Sequence, residues 1–83
     1  MAKRIVWTEH ARADLRKIDQ SIALRILKTL ARYAHTGEGN VKQLRGVQPP
    51  LLRLRAQDHR IFFRDKGDLL EISRVLHRKE AYR

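Results

Sequence analysis

Apolar and basic side chains alternate along residues 51–64, in two runs separated by a short polar turn. Successive side chains of a β-strand point to opposite faces, so this alternation predicts two strands with one apolar and one basic face. The residues predicted to point inward are Leu52, Leu54, Ile61 and Phe63. The residues predicted to line the opposite surface are Arg53, Arg55, Arg60 and Arg64. Such an array suits phosphate recognition, because each guanidinium is planar, permanently charged and rich in donors.

The first forty residues predict a short strand followed by two helices. The strand is the β-prone run Arg4–Trp7, and Thr8 behind it is a good helix N-cap. In the first helix the apolar positions at helical spacing are Ala11, Leu15 and Ile18. A second helix follows closely, with Asp19 or Ser21 as its cap. Its predicted apolar face carries Ile22, Ile26, Leu27, Leu30 and Tyr33, and residues 36–40 end it.

The second half of the chain predicts a loop and then three strands. Residues 41–50 are expected to be a loop, because Pro49 and Pro50 prevent any helix from continuing. The predicted strands cover residues 51–56, 59–64 and 69–76. A turn at residues 65–68 joins the last two strands, and the tail, residues 77–83, is too short to form a stable helix alone.

The third strand departs from regular alternation. Ile72 and Val75 cannot share a face in a regular strand, which predicts a bulge or twist near Ser73 and Arg74. The order β-α-α-β-β-β predicts an α+β fold in which a two-helix hairpin covers one face of a small, mostly antiparallel sheet. The arginines then lie on the other face. The length of 83 residues fits a single domain over residues 1–83.

Charge narrows the range of partners. The formal net charge is +10, with 13 Arg and 6 Lys against 9 acids, and the excess is spread over both halves of the chain. Such a charge favours a polyanion or an acidic protein partner. The absence of cysteine excludes disulfides and thiolate metal sites, and the scattered histidines predict neither a metal nor another cofactor. No signal peptide or membrane-spanning run is evident, so a cytoplasmic protein without membrane contact is expected.

Several short motifs occur in a characteristic order along nearly the whole chain. They are Trp7-Thr8 before Ala11-x-x-Asp14-Leu15, then Lys42-x-Leu44-x-Gly46, then Leu52-Arg53-Leu54-Arg55, then Asp58-His59-Arg60-Ile61-Phe62-Phe63, and finally Val75-Leu76-His77-Arg78-Lys79-Glu80-Ala81-Tyr82. In this combination the chain resembles the RelE/ParE superfamily of toxins from bacterial toxin–antitoxin modules.

The resemblance implies a chemistry and a set of site residues. The nuclease branch of the family cuts messenger RNA in the ribosomal A site, by attack of a ribose 2′-hydroxyl on the adjoining phosphate and without a metal. By resemblance, Arg60 and Arg78 hold the scissile phosphate, Arg53 replaces a strand lysine, and Tyr82 is the C-terminal tyrosine beside the nucleotide. Leu51 stands where some relatives carry a second strand lysine proposed as general base. Either another group serves here, or the activity differs.

Metal-free cleavage needs a proton acceptor, positive charge at the phosphate and a proton donor for the leaving oxygen. His77 is the candidate acid or base, because histidine changes charge near neutrality. Alternation sends His77 and Arg78 to opposite faces unless the strand ends between them. Arg60 can instead pair with Asp58 or Glu71, and Tyr82 can instead fix the C-terminus to the sheet. The predicted RNA-binding residues are Arg53, Arg55, Lys42 and Arg45.

Three functions follow from these expectations. The first is a toxin that acts as a ribosome-dependent mRNA endoribonuclease, with ribosome, mRNA and an acidic cognate antitoxin as partners. The second is the ParE type of toxin, which poisons DNA gyrase and has no nuclease site. The third is a basic nucleic-acid-binding module without catalysis. The antitoxin is expected to bring acids to the arginine face and to cover apolar grooves through a helix or an added strand.

Overall fold

The computed structural model describes residues 2–81, which form five strands and three helices. In chain order these are β1 Arg4–Trp7, α1 Glu9–Arg16, α2 Gln20–Thr36, β2 Val41–Gln43, β3 Leu52–Ala56, β4 His59–Asp65, β5 Leu69–His77 and α3 Arg78–Ala81. The strands form one sheet in the order β1-β5-β4-β3-β2, in which β1 runs parallel to β5 and the other neighbours are antiparallel. The predicted α+β fold is therefore confirmed.

The first two helices begin and end at the predicted signals. The Thr8 hydroxyl accepts a hydrogen bond from the Ala11 N–H at 3.2 Å and donates to the Ile72 carbonyl at 2.8 Å, so the cap also ties α1 to β5. Asp19 caps α2 by accepting from the Ser21 N–H at 3.3 Å. Gly37 ends α2 in the left-handed region, at φ +79°, where glycine has no steric penalty. None of the helices in residues 2–81 has the length and apolar composition needed to cross a membrane.

The core lies between the helices and one face of the sheet. Leu54, Ile61 and Phe63 are fully buried, which confirms the inward set predicted from alternation, and Leu52 packs against them. The predicted apolar face of α2 is partly wrong, since Ile22 and Leu27 are exposed. The buried positions of α2 are Ile26, Leu30 and Ala34. These three recur every fourth residue, so the core takes a narrower stripe of α2 than the sequence indicates.

The predicted bulge is present in β5. Phe62 pairs with Arg74 but Phe63 pairs with Ile72, which leaves Ser73 as the extra residue. The extra residue reverses the alternation of the strand. Ile72 and Val75 can therefore both face the core.

Two predictions for irregular segments were incomplete. The segment expected to be a loop contains β2, which pairs with β3 through Lys42 and Arg53. The paired residues of β2 and β3 lie nine to thirteen positions apart in the chain, so no local pattern reveals the pairing. The tail forms the single helical turn α3, which packs against β4 and β5. Tertiary contacts supply the stability that so short a helix lacks alone.

Candidate functional site

Strand register brings the predicted RNA-binding cations to the sheet face opposite the helices. Lys42 is the Cα partner of Arg53, and Arg55 is the partner of Arg60. Lys42 and Arg55 are exposed, whereas Arg53 is half-buried. We call these four residues the basic face. Arg45 is exposed in the turn just after β2, next to this surface in the chain.

Arg60 lies within the basic face but is not open to solvent as the sequence led us to expect. Its residue exposure is 6%, and its Nη1 donates to the Gln57 carbonyl at 2.7 Å and to the His59 carbonyl at 3.0 Å. The guanidinium folds back onto the turn between β3 and β4 because these carbonyls are strong acceptors at close range. Its charge nevertheless stays beside Arg55, so it raises the positive potential at this end of the sheet.

Arg78 lies at the same end of the sheet. Its backbone N–H donates to the Asp58 carbonyl at 2.7 Å, and its Nε lies 3.8 Å from the Asp58 carboxylate. Both side chains are more than half exposed, so water screens this ion pair and it contributes little stability. A phosphate group can therefore replace Asp58 as the partner of Arg78 at little cost.

The structure places His77 on the helix side of the sheet, away from the basic face. It is the register partner of His59, and the two rings are nearly perpendicular with centroids 5.3 Å apart. The pair lines a cavity of about 330 Å³ together with residues of the helical hairpin, including Asp14 and Lys17. The structure therefore places His77 and Arg60 on opposite faces of the sheet. The bulge at Ser73 causes this placement of His77, because it reverses which residues of β5 face the core.

His59 is buried and electrostatically disfavoured as a cation. Burial and the neighbouring His77 hold the pKa of His59 below its ordinary value of 6.5, although the negative charges of Asp58 and Glu80 act in the opposite direction. At neutral pH this ring is therefore an uncharged packing partner.

Asp14 has a structural role that the sequence did not predict. Its carboxylate accepts from Arg74 Nε at 2.8 Å, from Arg74 Nη2 at 3.0 Å and from the Val75 N–H at 2.9 Å. Burial tends to raise the pKa of Asp14, but the bonds from Arg74 and Val75 and the charges of Arg74 and Lys17 outweigh it and hold the pKa below the ordinary value. An acid on the same helical face as the buried Ala11 was the available signal, because a buried carboxylate requires partners.

The helical hairpin leaves apolar surface uncovered. A cavity of about 270 Å³ is lined by Trp7, Leu15 and Leu27, with Arg12 and Arg16 at the same site. We call this site the apolar groove. The α2 residues Ile22 and Leu24 add further exposed apolar area, with exposures of 38% and 52%. Exposed apolar surface of this kind marks interaction sites in many proteins.

Tyr82, the predicted aromatic group of the site, lies outside the described residues. Within residues 2–81, no cluster of three or more His, Cys, Asp or Glu side chains is arranged to hold a metal ion.

Comparison with solved structures identifies the fold. The protein is similar to a chain of the RelB–RelE antitoxin–toxin complex from Methanococcus jannaschii, with 23% identity, a TM-score of 0.74, and 93% of this chain and 94% of that chain covered. For the RelBE2 toxin–antitoxin complex from Mycobacterium tuberculosis the identity is 22%, the TM-score is 0.79 and the coverages are 93% and 99%. For a YoeB dimer from Staphylococcus aureus the identity is 16%, the TM-score is 0.71, and 89% of this chain and 94% of that chain are covered.

Sequence comparison shows the family as well as the fold. Among curated proteins none matches this chain. The model of the family described as the ParE toxin of type II toxin–antitoxin systems matches residues 5–82, which is nearly the whole sequence. With this match and the RelE-like fold in agreement, the chain belongs to the ParE toxin family of type II toxin–antitoxin systems.

Proposed function

We propose that this toxin is an endoribonuclease that cleaves messenger RNA on the ribosome, without a metal ion, and thereby inhibits translation. The observation that carries the proposal is the cross-strand pairing of Lys42 with Arg53 and of Arg55 with Arg60. This pairing concentrates four cations on one face of the sheet. The rigid sheet fixes the distances between these four cations. Fixed distances favour a polymer whose negative charges are regularly spaced over an acidic polymer whose charges are not.

The reaction has few requirements beyond charge and geometry. The ribose 2′ oxygen bonds to the adjoining phosphorus and its proton passes to a base, while the bond to the 5′ oxygen breaks and that oxygen takes up a proton. Negative charge develops on the phosphoryl oxygens, where Arg55 and Arg78 can donate hydrogen bonds. Arg60 strengthens the field from beneath the surface. Tyr82 is the proposed group for stacking on the nucleotide or giving a proton.

The direct test uses ribosomes programmed with a defined mRNA. Incubation with the toxin should produce cuts within the codon in the A site, detected by primer extension. The double variant Arg53→Gln/Arg55→Gln should reduce cleavage by about 10²-fold or more, because charge stabilisation at the phosphate is lost. The matched control is Lys28→Gln/Arg32→Gln, which removes two charges from the exposed side of α2. Intact mRNA with the folded wild-type protein would overturn the proposal.

The salt dependence of RNA binding tests whether the basic face contacts the phosphate backbone. Binding of single-stranded RNA should weaken with salt, and removing two phosphate contacts should reduce the logarithmic salt slope by about 1.4. The Arg53→Gln/Arg55→Gln variant should show this reduction and the α2 control should not. Equal slopes for both variants would mean that the basic face does not contact the backbone.

A second candidate function is inhibition of DNA gyrase without nuclease activity. Two observations favour it: the family model that matches is the ParE one, and none of the four histidines lies on the basic face. His10 and His35 are on helices, and His59 and His77 are on the helix side of the sheet. A supercoiling assay with purified gyrase, run beside the ribosome assay, distinguishes the two. Inhibited supercoiling with intact mRNA would establish this second function.

We propose an acidic antitoxin as the protein partner, acting in the cytoplasm where ribosomes are found. Its acids would meet the basic face and its apolar side chains would fill the apolar groove, through a helix or an added strand. Because such a partner binds only the folded toxin, it should raise the melting temperature. Leu27→Asp places a charge in the groove and should weaken the complex, whereas Lys28→Asp beside it should not. An unchanged melting temperature on addition of antitoxin would contradict the partner assignment.

A further inference from the structure

We propose that His77 is a positioning residue that caps α3 and holds Arg78 in place, and that it does not transfer a proton to RNA. The capping role is independent of what the toxin acts on. The consequence for catalysis rests on the proposed ribonuclease function, since it concerns the delivery of Arg78 to a phosphate.

The position of His77 is that of a helix N-cap. It is the last residue of β5, and α3 begins at Arg78. Its Nδ1 accepts a hydrogen bond from the Lys79 N–H at 3.2 Å. N-cap side chains accept from the second or third helical N–H, and Lys79 is the second residue of α3. The imidazole therefore does here what an asparagine or aspartate oxygen does at other helix starts.

The cap selects the tautomer of the neutral ring. An Nδ1 that accepts a hydrogen bond carries no proton, so the neutral ring has its proton on Nε2. The lone pair that would serve as a base is thus engaged with the backbone. The ring also lines the cavity on the helix side of the sheet, across the sheet from Arg55. Both facts oppose direct proton exchange with a substrate on the basic face.

His59 supports the ring of His77. The two residues are register partners, and their rings meet nearly perpendicularly at 5.3 Å. His59 is 9% exposed and its pKa is lowered, mainly by burial, so an uncharged ring packs against the cap at neutral pH. The charged groups that line the two cavities beside the pair are Asp14, Lys17, Asp19, Arg25, Asp58, Arg74 and Glu80. The charge of Arg60 also acts on His59.

Two backbone hydrogen bonds then fix the start of α3. The Arg78 N–H donates to the Asp58 carbonyl at 2.7 Å and the Lys79 N–H donates to His77. These are the first two of the N–H groups that a helix leaves without internal partners. Loss of the cap would loosen the backbone that carries Arg78. The guanidinium would then be delivered less accurately to a phosphate at the basic face, although the charge of the protein would not change.

The test compares His77→Ala with His77→Asn. Asparagine is a strong N-cap residue but cannot act as an acid or base near neutrality, so it retains the cap and abolishes any proton transfer. The first readout is hydrogen exchange of the Lys79 amide, measured by NMR. Exchange should be about tenfold faster in His77→Ala than in the wild type, and close to wild type in His77→Asn. The control His35→Ala removes a histidine in the last turn of α2 and should leave this amide unchanged.

The second readout is mRNA cleavage as a function of pH. His77→Asn should retain cleavage within about threefold of wild type with the same pH profile, and His77→Ala should lose about tenfold with an unchanged profile. Equal losses of about 10²-fold or more in both variants, with the Lys79 amide still protected in His77→Asn, would overturn the positioning role in favour of catalysis. Equal exchange of the Lys79 amide in all proteins would overturn the cap itself. A wild-type protein that cuts no mRNA would refute the ribonuclease while the amide measurement still decides the cap.

Discussion

Replacing Asp14 by alanine tests the contact that holds α1 against the bulge of β5. The carboxylate accepts three hydrogen bonds, two from the Arg74 guanidinium and one from the Val75 N–H. The Asp14 side chain is 9% exposed, whereas that of Arg74 is 44% exposed. After substitution, Arg74 can turn to water, but the Val75 N–H stays buried and loses this partner. The bond from the Val75 N–H therefore contributes more to stability than the bonds from Arg74.

The expected loss follows from that difference. A buried donor left unsatisfied costs about 1–3 kcal/mol. The bonds to Arg74 contribute about 0.5–1 kcal/mol, because a half-exposed guanidinium is screened by solvent. The free energy of unfolding should thus fall by about 1.5–4 kcal/mol, the sum of these two losses. A domain of this size has about 4–12 kcal/mol in total, so the variant should remain folded but close to its limit.

Urea unfolding, followed by circular dichroism and by the fluorescence of Trp7, the single tryptophan, measures this loss. The control is Asp68→Ala, which removes an exposed carboxylate and should change stability by less than about 0.5 kcal/mol. The folded-state pKa of Asp14 is lowered, so its contribution is complete above the ordinary pKa of 3.8 and disappears as pH falls through the folded value. The gap between wild type and Asp14→Ala should therefore narrow in strong acid. A variant as stable as Asp68→Ala, or a gap that does not depend on pH, would refute the reasoning.

Three further predictions concern packing and pH. Phe63→Ala should cost about 3–5 kcal/mol, because the ring is fully buried and contacts Tyr33 edge-on at 5.4 Å; calorimetry that shows a nearly unchanged melting temperature would contradict this. Gly39→Ala should lower the free energy of unfolding in urea by about 1–3 kcal/mol, since the added Cβ would lie 2.8 Å from Leu54 Cδ1. An unchanged free energy would mean that the Leu54 side chain moves aside freely. The pKa of His59 is lowered mainly by burial, so this ring takes up a proton more readily in the unfolded chain than in the folded protein. The free energy of unfolding should therefore fall as pH drops below about 6.5, and His59→Gln should make that decline less steep. Equal pH dependence of stability in the wild type and in His59→Gln would exclude His59 as the source of the decline.

The sequence predicted the fold well where the signals are local. The Thr8 and Asp19 caps and the Gly37 stop each act through atoms within a few residues, so their effect can be deduced from the chain alone. The bulge near Ser73 also follows from local pattern, since two apolar residues three positions apart must face one core. By contrast, β2 was missed, because its pairing with β3 depends on residues nine or more positions away in the chain.

The candidate site was predicted less completely than the fold. Alternation correctly assigned Arg53 and Arg55 to the face opposite the core. It could not reveal that Arg60 folds back onto the carbonyls of Gln57 and His59, because rotamer choice depends on acceptors in the finished turn. The role of Asp14 could not be deduced from the sequence either, because its partners Arg74 and Val75 are 60 and 61 residues away in the chain.

The amino-acid sequence by itself determined the first strand, the first two helices and the last three strands, because spacing and capping residues predict them. It also determined the inward and outward faces of β3 and β4 and the excess of positive charge, which follow from alternation and composition. Tertiary structure alone decided that His77 caps a helical turn on the far side of the sheet from the basic face. The physical reason is that a hydrogen bond from Lys79 and a ring contact with His59 exist only once β4, the bulged β5 and α3 have packed together.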